Sequence, residues 1–280
     1  MLFKIEAGNL QLHCCLLPGG DAPLLTIDLL NNYNVLCILT RLNQSSPVNP
    51  PLGPYPKNSN DPPYYPIFSQ NSIQYWPEEI TAILNFVYNG GGLLLISDHG
   101  PPSQKEIMNN QTINDCQLAA AFGVAIEPAM FVNPNGLIVM SGSCLNSTFS
   151  ANILNEVTSI VVHDCCAIFP FDEEVGFVPL VSLPDGLNNV SPINNVPPTD
   201  ANGNTLAYAL CNSTYGSGKV IIAGNSGIAG NSNHPYPSQG LFYTSPPSVQ
   251  QMPYNTSSPS YLPTAQNDVF LLNCLEYLAP

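Results

Sequence analysis

Apolar and polar positions alternate between two periods along this chain, and the switch points predict its elements. Residues 22–31 read as a short helix, and the run YNVLCIL at 33–39 as a buried strand. At 76–79, Trp-Pro-Glu-Glu opens a helix: proline suits a first turn, and the two acids favour the positive end of the helix dipole. Ile80, Ile83, Leu84 and Val87 then follow at helical spacing until Gly90 and Gly91 stop them. The next run, GLLLIS, is short and uniformly apolar, which predicts a central strand buried on both faces. A helix is expected over about 113–122, ending at Gly123, and shorter apolar runs at 137–140, 157–163 and 177–182 predict further strands. TLAYAL at 205–210 and GKVIIAG at 218–224 read as the last strands, and QNDVFLLNCLEYLA at 266–279 as a closing helix with Val269, Leu272, Leu275 and Leu278 on one stripe.

Helix and strand joined by tight turns predict an α/β fold with a mostly parallel, doubly wound sheet of flavodoxin-like type. Two Pro/Asn-rich stretches interrupt it, at 43–75 and 231–263, with proline too dense for helix or central strand. They read as long loops inserted in one domain spanning 1–280, not as linkers, and no internal repeat is present.

Composition narrows the partners. The chain has five Lys+Arg against nineteen Asp+Glu, a formal net charge of −14, and only 9% charged residues. Nucleic acid and anionic membrane surfaces require clustered cations, so neither is an expected partner. No apolar stretch reaches the roughly 18–20 residues of a membrane helix, so no membrane insertion is expected. Neutral polar residues supply the solubility, a composition that leans extracytoplasmic, yet Glu6, Asn9, Gln11 and His13 interrupt any signal-like apolar core. The nine cysteines form no CxxC, and their odd number and apolar settings favour buried thiols over a disulfide framework.

The ordered blocks YNVLCIL, EEITAILNFVYNGGGLLLISDHGPP, LAAAFGV, GKVIIAGNS and QNDVFLLNCLEYL resemble the glutamine-amidotransferase-like superfamily, in a branch of uncharacterised domains without the catalytic cysteine. The resemblance covers about residues 24–280 and is strongest at 76–124 and 218–278. It implies a further strand-helix unit ahead of residue 24, so Met1 is expected to be a truncated or misassigned start. It also implies a nucleophile at a G-x-C-x-G elbow after the central strand. Laying Gly100 on the last glycine of that elbow puts Asp98 where relatives carry the thiol, and Asn225 and Ser226 where the partner His and Glu are expected. Amidotransferase activity is therefore not expected.

Asp98 and His99 fall where ligands gather in open α/β sheets, beyond the carboxyl ends of the strands. A carboxylate and an imidazole there suit a divalent metal or acid–base work, whereas the plainer reading has Asp98 capping a turn and His99 packing on the prolines. GNSGIAGNSNH, from Gly224 to His234, makes a second strand-end turn, with Gly100, Gly224 and His234 as candidate ligand-binding positions. His163, Asp164, Cys165 and Cys166 have ligand chemistry, but four adjacent residues cannot all face one ion. Cys144, in SGSCLNS, offers a thiol near an elbow but in the wrong block of the order.

Two functions are compatible with this pattern. The first is a non-catalytic domain that binds a small molecule or carbohydrate, with the tyrosines of the Pro-rich loops as stacking faces. The second is a hydrolase in which Asp98 and His99, with Asn225, Ser226 or His234, bind a metal or activate water. The binding reading comes first because the block order survives while the chemistry of the elbow does not. No cofactor is specified by the sequence, and any metal is unknown.

Overall fold

The structure, a computed structural model, describes residues 2–6, 9–13, 25–39, 75–98, 100, 112–146, 152–170, 176–190, 206–212, 216–225, 228 and 265–280. Both long loops, 43–75 but for its last residue and 231–263, lie outside these residues.

The described chain is mixed α/β. In order it comprises β1 (Leu2–Glu6), β2 (Asn9–His13), α1 (Ile27–Leu30), β3 (Val35–Leu39), α2 (Pro77–Tyr88), β4 (Gly92–Ile96), α3 (Thr112–Ala120) and β5 (Val124–Val132). There follow β6 (Ile138–Ser141), β7 (Ser159–Val162), β8 (Asp164–Pro170), β9 (Gly176–Ser182), β10 (Asn188–Asn189), β11 (Leu206–Asn212), β12 (Lys219–Ala223) and α4 (Asn267–Leu278). Ten strands form one sheet in the order β10-β5-β8-β11-β12-β4-β3-β1-β2, with β9 paired to β11, and β6 and β7 form a separate hairpin.

The expected mostly parallel sheet is corrected here. Among the described residues only β3, β4 and β12 run parallel, Val35 to Leu39 matching Gly92 to Ile96 and Lys219 to Ala223 matching the same five positions. The other described pairings in the large sheet are antiparallel. Connection length explains the difference. The β1–β2 and β11–β12 connections are too short for a crossover and force reversal, whereas α2 carries the chain from β3 back to the start of β4.

Periodicity located α2 correctly. Pro77 opens it, Glu79 accepts the N–H of Trp76 at 3.0 Å and that of Leu25 at 3.1 Å, and both bonds keep this buried carboxylate satisfied. The triple glycine that follows has three separate reasons. Gly90 adopts φ +104°, which only glycine takes without strain; a Cβ on Gly91 would strike the Phe86 ring, and one on Gly92 would lie 2.4 Å from the Leu278 carbonyl oxygen. Helix α2 thereby turns into β4 within three residues while α4 packs directly over the strand start.

Strand β4 is buried on both faces, as expected. Leu93 and Leu95 join Leu30, Ile83, Phe86, Val87, Leu118 and Phe122 on one side of the sheet. Leu94 and Ile96 face the other side with Phe270, Leu271, Cys274, Leu275 and Leu278 of α4. Each of these large side chains contributes about 1.5–3 kcal/mol when fully buried.

The rotation of α4 departs from the expected stripe. Leu275 and Leu278 are buried, but Leu272 is 38% exposed, and Asn267, Phe270, Leu271 and Cys274 complete the inner face. Hydrogen bonds set this rotation. The Asn267 side chain accepts the N–H of Val161 at 2.9 Å and donates to its carbonyl at 2.8 Å, acting as an extra strand residue beside β7. Gln266 Oε1 accepts from the N–H groups of Thr158 and Ser159, and Asn273 donates to the carbonyls of Ile153 and Asn155. The Gln-Asn pair that ends the sequence pattern is a structural clamp.

Candidate functional site

The carboxyl ends of β4 and β12 position the candidate site. Ile96 and Ala223 are in register across these two strands, and the Ser97 N–H donates to the Ala223 carbonyl at 2.9 Å. Asp98 and Asn225 each stand two residues beyond that matched pair. The parallel pairing of β4 and β12 thus sets two residues separated by more than a hundred positions in the chain at the same end of the sheet.

A third strand contributes Asp164, which the sequence offered only within the run from His163 to Cys166. Strand β8 begins at Asp164, and Cys166 N–H donates to the Gly224 carbonyl at 2.8 Å, holding the start of β8 against the end of β12. Cys165 Sγ also donates to that carbonyl, at 3.4 Å. In this setting the Asn225 side-chain amide donates to the Asp164 carbonyl and, at 2.9 Å, to Asp164 Oδ1. Asn225 is 1% exposed, and its own Oδ1 has no hydrogen-bond partner. A buried acceptor left in this condition costs about 1–3 kcal/mol.

Asp98 and Asp164 are both half-buried. Burial first, and then the charges of Asp164 and Asp98, push the Cys165 thiol well above its ordinary range, so both carboxylates act on the same sulfur. Cys166 is raised as well, by burial before any neighbouring charge. These thiols stay protonated and are not nucleophiles. Cys144 lies in a 3-10 turn after β6, a strand of the antiparallel hairpin, so it occupies no strand-to-helix elbow of the parallel sheet.

Beneath Asp98 the neighbouring Ser97 is fully buried. Its hydroxyl donates to Asp115 Oδ2 at 2.9 Å, and the Tyr75 hydroxyl donates to Asp115 Oδ1 at 3.3 Å. This network ties the end of β4 to α3 and fixes the backbone from which Asp98 projects. Gly100 is buried and its N–H donates to the Ala129 carbonyl at 2.7 Å, which anchors this glycine to β5. Gly224 likewise uses its carbonyl to hold β8.

Of the sequence-derived candidates, Asp98, Gly100, Gly224 and Asn225 assemble at one end of the sheet. His99, Ser226 and His234 lie outside the described residues or their described side chains. Asp164 joins the site from the HDCC stretch, and Cys165 and Cys166 do not. Its signal was a carboxylate opening an apolar run, indistinguishable in sequence from a strand-end turn. Among the described residues no three His, Cys, Asp or Glu side chains form a set able to hold a metal ion, and no helix is long and apolar enough to cross a membrane.

No protein-family model matches this chain, and no curated protein matches it. Among solved structures, the chain is similar to a Salmonella typhimurium LT2 protein described as cytoplasmic, with 14% identity, 91% of this chain and 76% of that chain covered, and a TM-score of 0.48. It is similar also to the mmIFT52 N-terminal domain, with 13% identity, 73% and 72% coverage and a TM-score of 0.43. A thua-like protein from Bacteroides uniformis ATCC 8492 matches with 11% identity, 91% and 72% coverage and a TM-score of 0.39. Each is a distant likeness, and no residue role passes from any of them to this chain.

Proposed function

We propose that this chain is a ligand-binding domain of amidotransferase-like kinship, without amidotransferase activity, whose strand-end site takes a small hydroxyl-rich ligand of the carbohydrate class. The observation that carries the reading is Asn225 Oδ1, a buried acceptor without a donor, on a side chain bonded to Asp164 at the carboxyl end of β12. A buried acceptor in this state calls for a ligand that donates, and sugar hydroxyls do so without bringing a charge of their own. Lacking a thiol at the elbow, and with Cys165 and Cys166 held protonated, the site has no means of forming a thioester.

The test is calorimetric titration of the full chain with neutral mono- and oligosaccharides, guided by a glycan array. Binding is expected, and Asn225→Ala should weaken it by about three- to tenfold, the worth of one hydrogen bond. Absence of any carbohydrate ligand, or a variant that binds as tightly as the parent, would overturn the reading. Glutamine hydrolysis by the purified chain would do the same.

The position of Asp98 supports a second reading. A half-buried carboxylate immediately beyond the central strand suits activation of water, which makes the domain a hydrolase. Turnover of ester or glycoside substrates abolished by Asp98→Asn is the result that favours it over simple binding.

A further inference from the structure

We propose that the irregular stretch of β5 at residues 128–130 is a proton-operated latch: when Glu127 gives up its proton the stretch loosens, and with it the hold of the Ala129 carbonyl on Gly100.

Three observations carry it. The first is a break in the ladder. From Glu127, opposite Ala167, to Phe131, opposite Cys165, β5 advances four residues while β8 advances two. The surplus makes a bulge, and Pro128 within it has no N–H to offer a neighbouring strand. The second is what holds the bulge instead. The Gly100 N–H donates to the Ala129 carbonyl at 2.7 Å, the Val190 N–H donates to the Met130 carbonyl at 2.9 Å, and the Met130 N–H donates to Asn189 Oδ1 at 3.4 Å. Single bonds to separate segments stand here in place of a continuous ladder, so the stretch opens at lower cost than the strands beside it.

The third is the group at its head. Glu127 is buried, and among the described residues no hydrogen bond reaches its carboxyl. Helix α3 brings Asp115 and Cys116 to this corner, and the Cys116 thiol feels the charge of both acids. Strand β8 brings Ala167 directly opposite, preceded by Asp164, Cys165 and Cys166, and β10 brings the neutral Asn188 and Asn189. These three elements carry no Lys, Arg or His. A protonated carboxyl rests there at small cost, whereas an ionised one gains by reaching water. Burial pushes Glu127 from 4.5 up to about 7, so the closed stretch keeps its proton in mild acid and loses it within the neutral range. An opened stretch releases that proton from about 4.5 upward, so the closed form is favoured in mild acid and loses this advantage as pH rises through the interval. Gly100 stands two residues beyond Asp98, so a ligand at the strand end is held more weakly at pH 8 than at pH 5; that consequence rests on the ligand-binding reading, and the latch itself does not.

The experiment is amide hydrogen exchange of the full chain followed by nuclear magnetic resonance from pH 5 to pH 8, with each rate corrected for its intrinsic dependence on pH. The protection of the Gly100 amide is expected to fall by about tenfold or more across this range, and by more than that of Leu94, whose amide in the buried β4 reports global unfolding. In Glu127→Gln the excess fall at Gly100 should disappear. Protection of Gly100 that does not change with pH, or that falls only in step with Leu94, overturns the latch, and both comparisons need the parent protein alone. An excess fall that persists in Glu127→Gln overturns it as well, by assigning the proton to another group. No ligand enters the measurement, so failure of the latch leaves the ligand-binding reading standing, and absence of a carbohydrate ligand leaves the latch standing.

Discussion

Replacing Glu127 by Gln should stabilise this protein at neutral and alkaline pH while changing little in mild acid. Glu127 lies in β5, opposite Ala167 of β8, and is only 5% exposed. Burial pushes its carboxyl from the ordinary 4.5 up to about 7. An acid whose folded pKa lies above its unfolded one favours the native state most when protonated. Below 4.5 both states hold the proton; between 4.5 and about 7 the unfolded chain releases it and the native chain does not, so stability falls as pH rises through that window and levels off above it. At 1.36 kcal/mol per pH unit, the whole interval corresponds to about 3 kcal/mol. Glutamine keeps the shape and never ionises, so it avoids this loss. The Glu127 charge is also felt by the buried Cys116, whose thiol is raised by burial, then by Asp115 and then by Glu127. The assay is chemical denaturation of parent and Glu127→Gln at pH 5 and pH 8. The stability gap in favour of the variant should widen by about 2–3 kcal/mol between the two conditions, which for a domain of this size is about 4–12 °C in Tm. A gap that does not change with pH would show that Glu127 ionises in the native state as freely as in the unfolded one, and the reasoning would fail.

Two further outcomes follow from packing. Asn267→Leu removes both bonds to Val161 and strands its buried N–H and carbonyl, so a loss of about 2–5 kcal/mol is expected by urea denaturation; a variant within 0.5 kcal/mol or so of the parent would dissolve the clamp. Gly92→Ala places a methyl group 2.4 Å from the Leu278 carbonyl oxygen and must push α4 off β4, with an expected drop of several degrees in Tm; an unchanged melting curve would show that the helix yields freely.

Much of this architecture was legible in the sequence because it is local. The proline and acids that open α2, the glycines that end it and the aliphatic run of β4 each act within a few residues, and all three stand where the pattern put them. Strand direction was not legible. Hydrophobic period says that a segment is a strand but not which way its neighbour runs, and the short turn between β11 and β12 decides that instead. Strand β5 was hidden by Glu127 and Pro128 within it, at a register irregularity, and β8 by a sequence whose cysteines invited a metal reading. The rotation of α4 escaped for a third reason, since Asn267 bonds to a residue 106 positions away. At the site, topology made Asp98 and Asn225 foreseeable neighbours, but Asp164 reaches them only because β8 starts against Gly224, a contact with no local signal.

The amide clamp on α4 also orders events in time. The helix follows every element it secures, and its bonds to the segment 153–161 span 106 to 120 residues of chain. During synthesis, the sheet face that includes Leu94, Ile96 and Ile221 is made long before the helix that covers it. Closing so large a loop must be offset by contacts that form together, so docking of α4 is a late, concerted step. Until then the nascent domain presents an uncovered apolar face, and the period of greatest vulnerability to misassociation is set by how fast the stretch from β12 to the end of α4 is made.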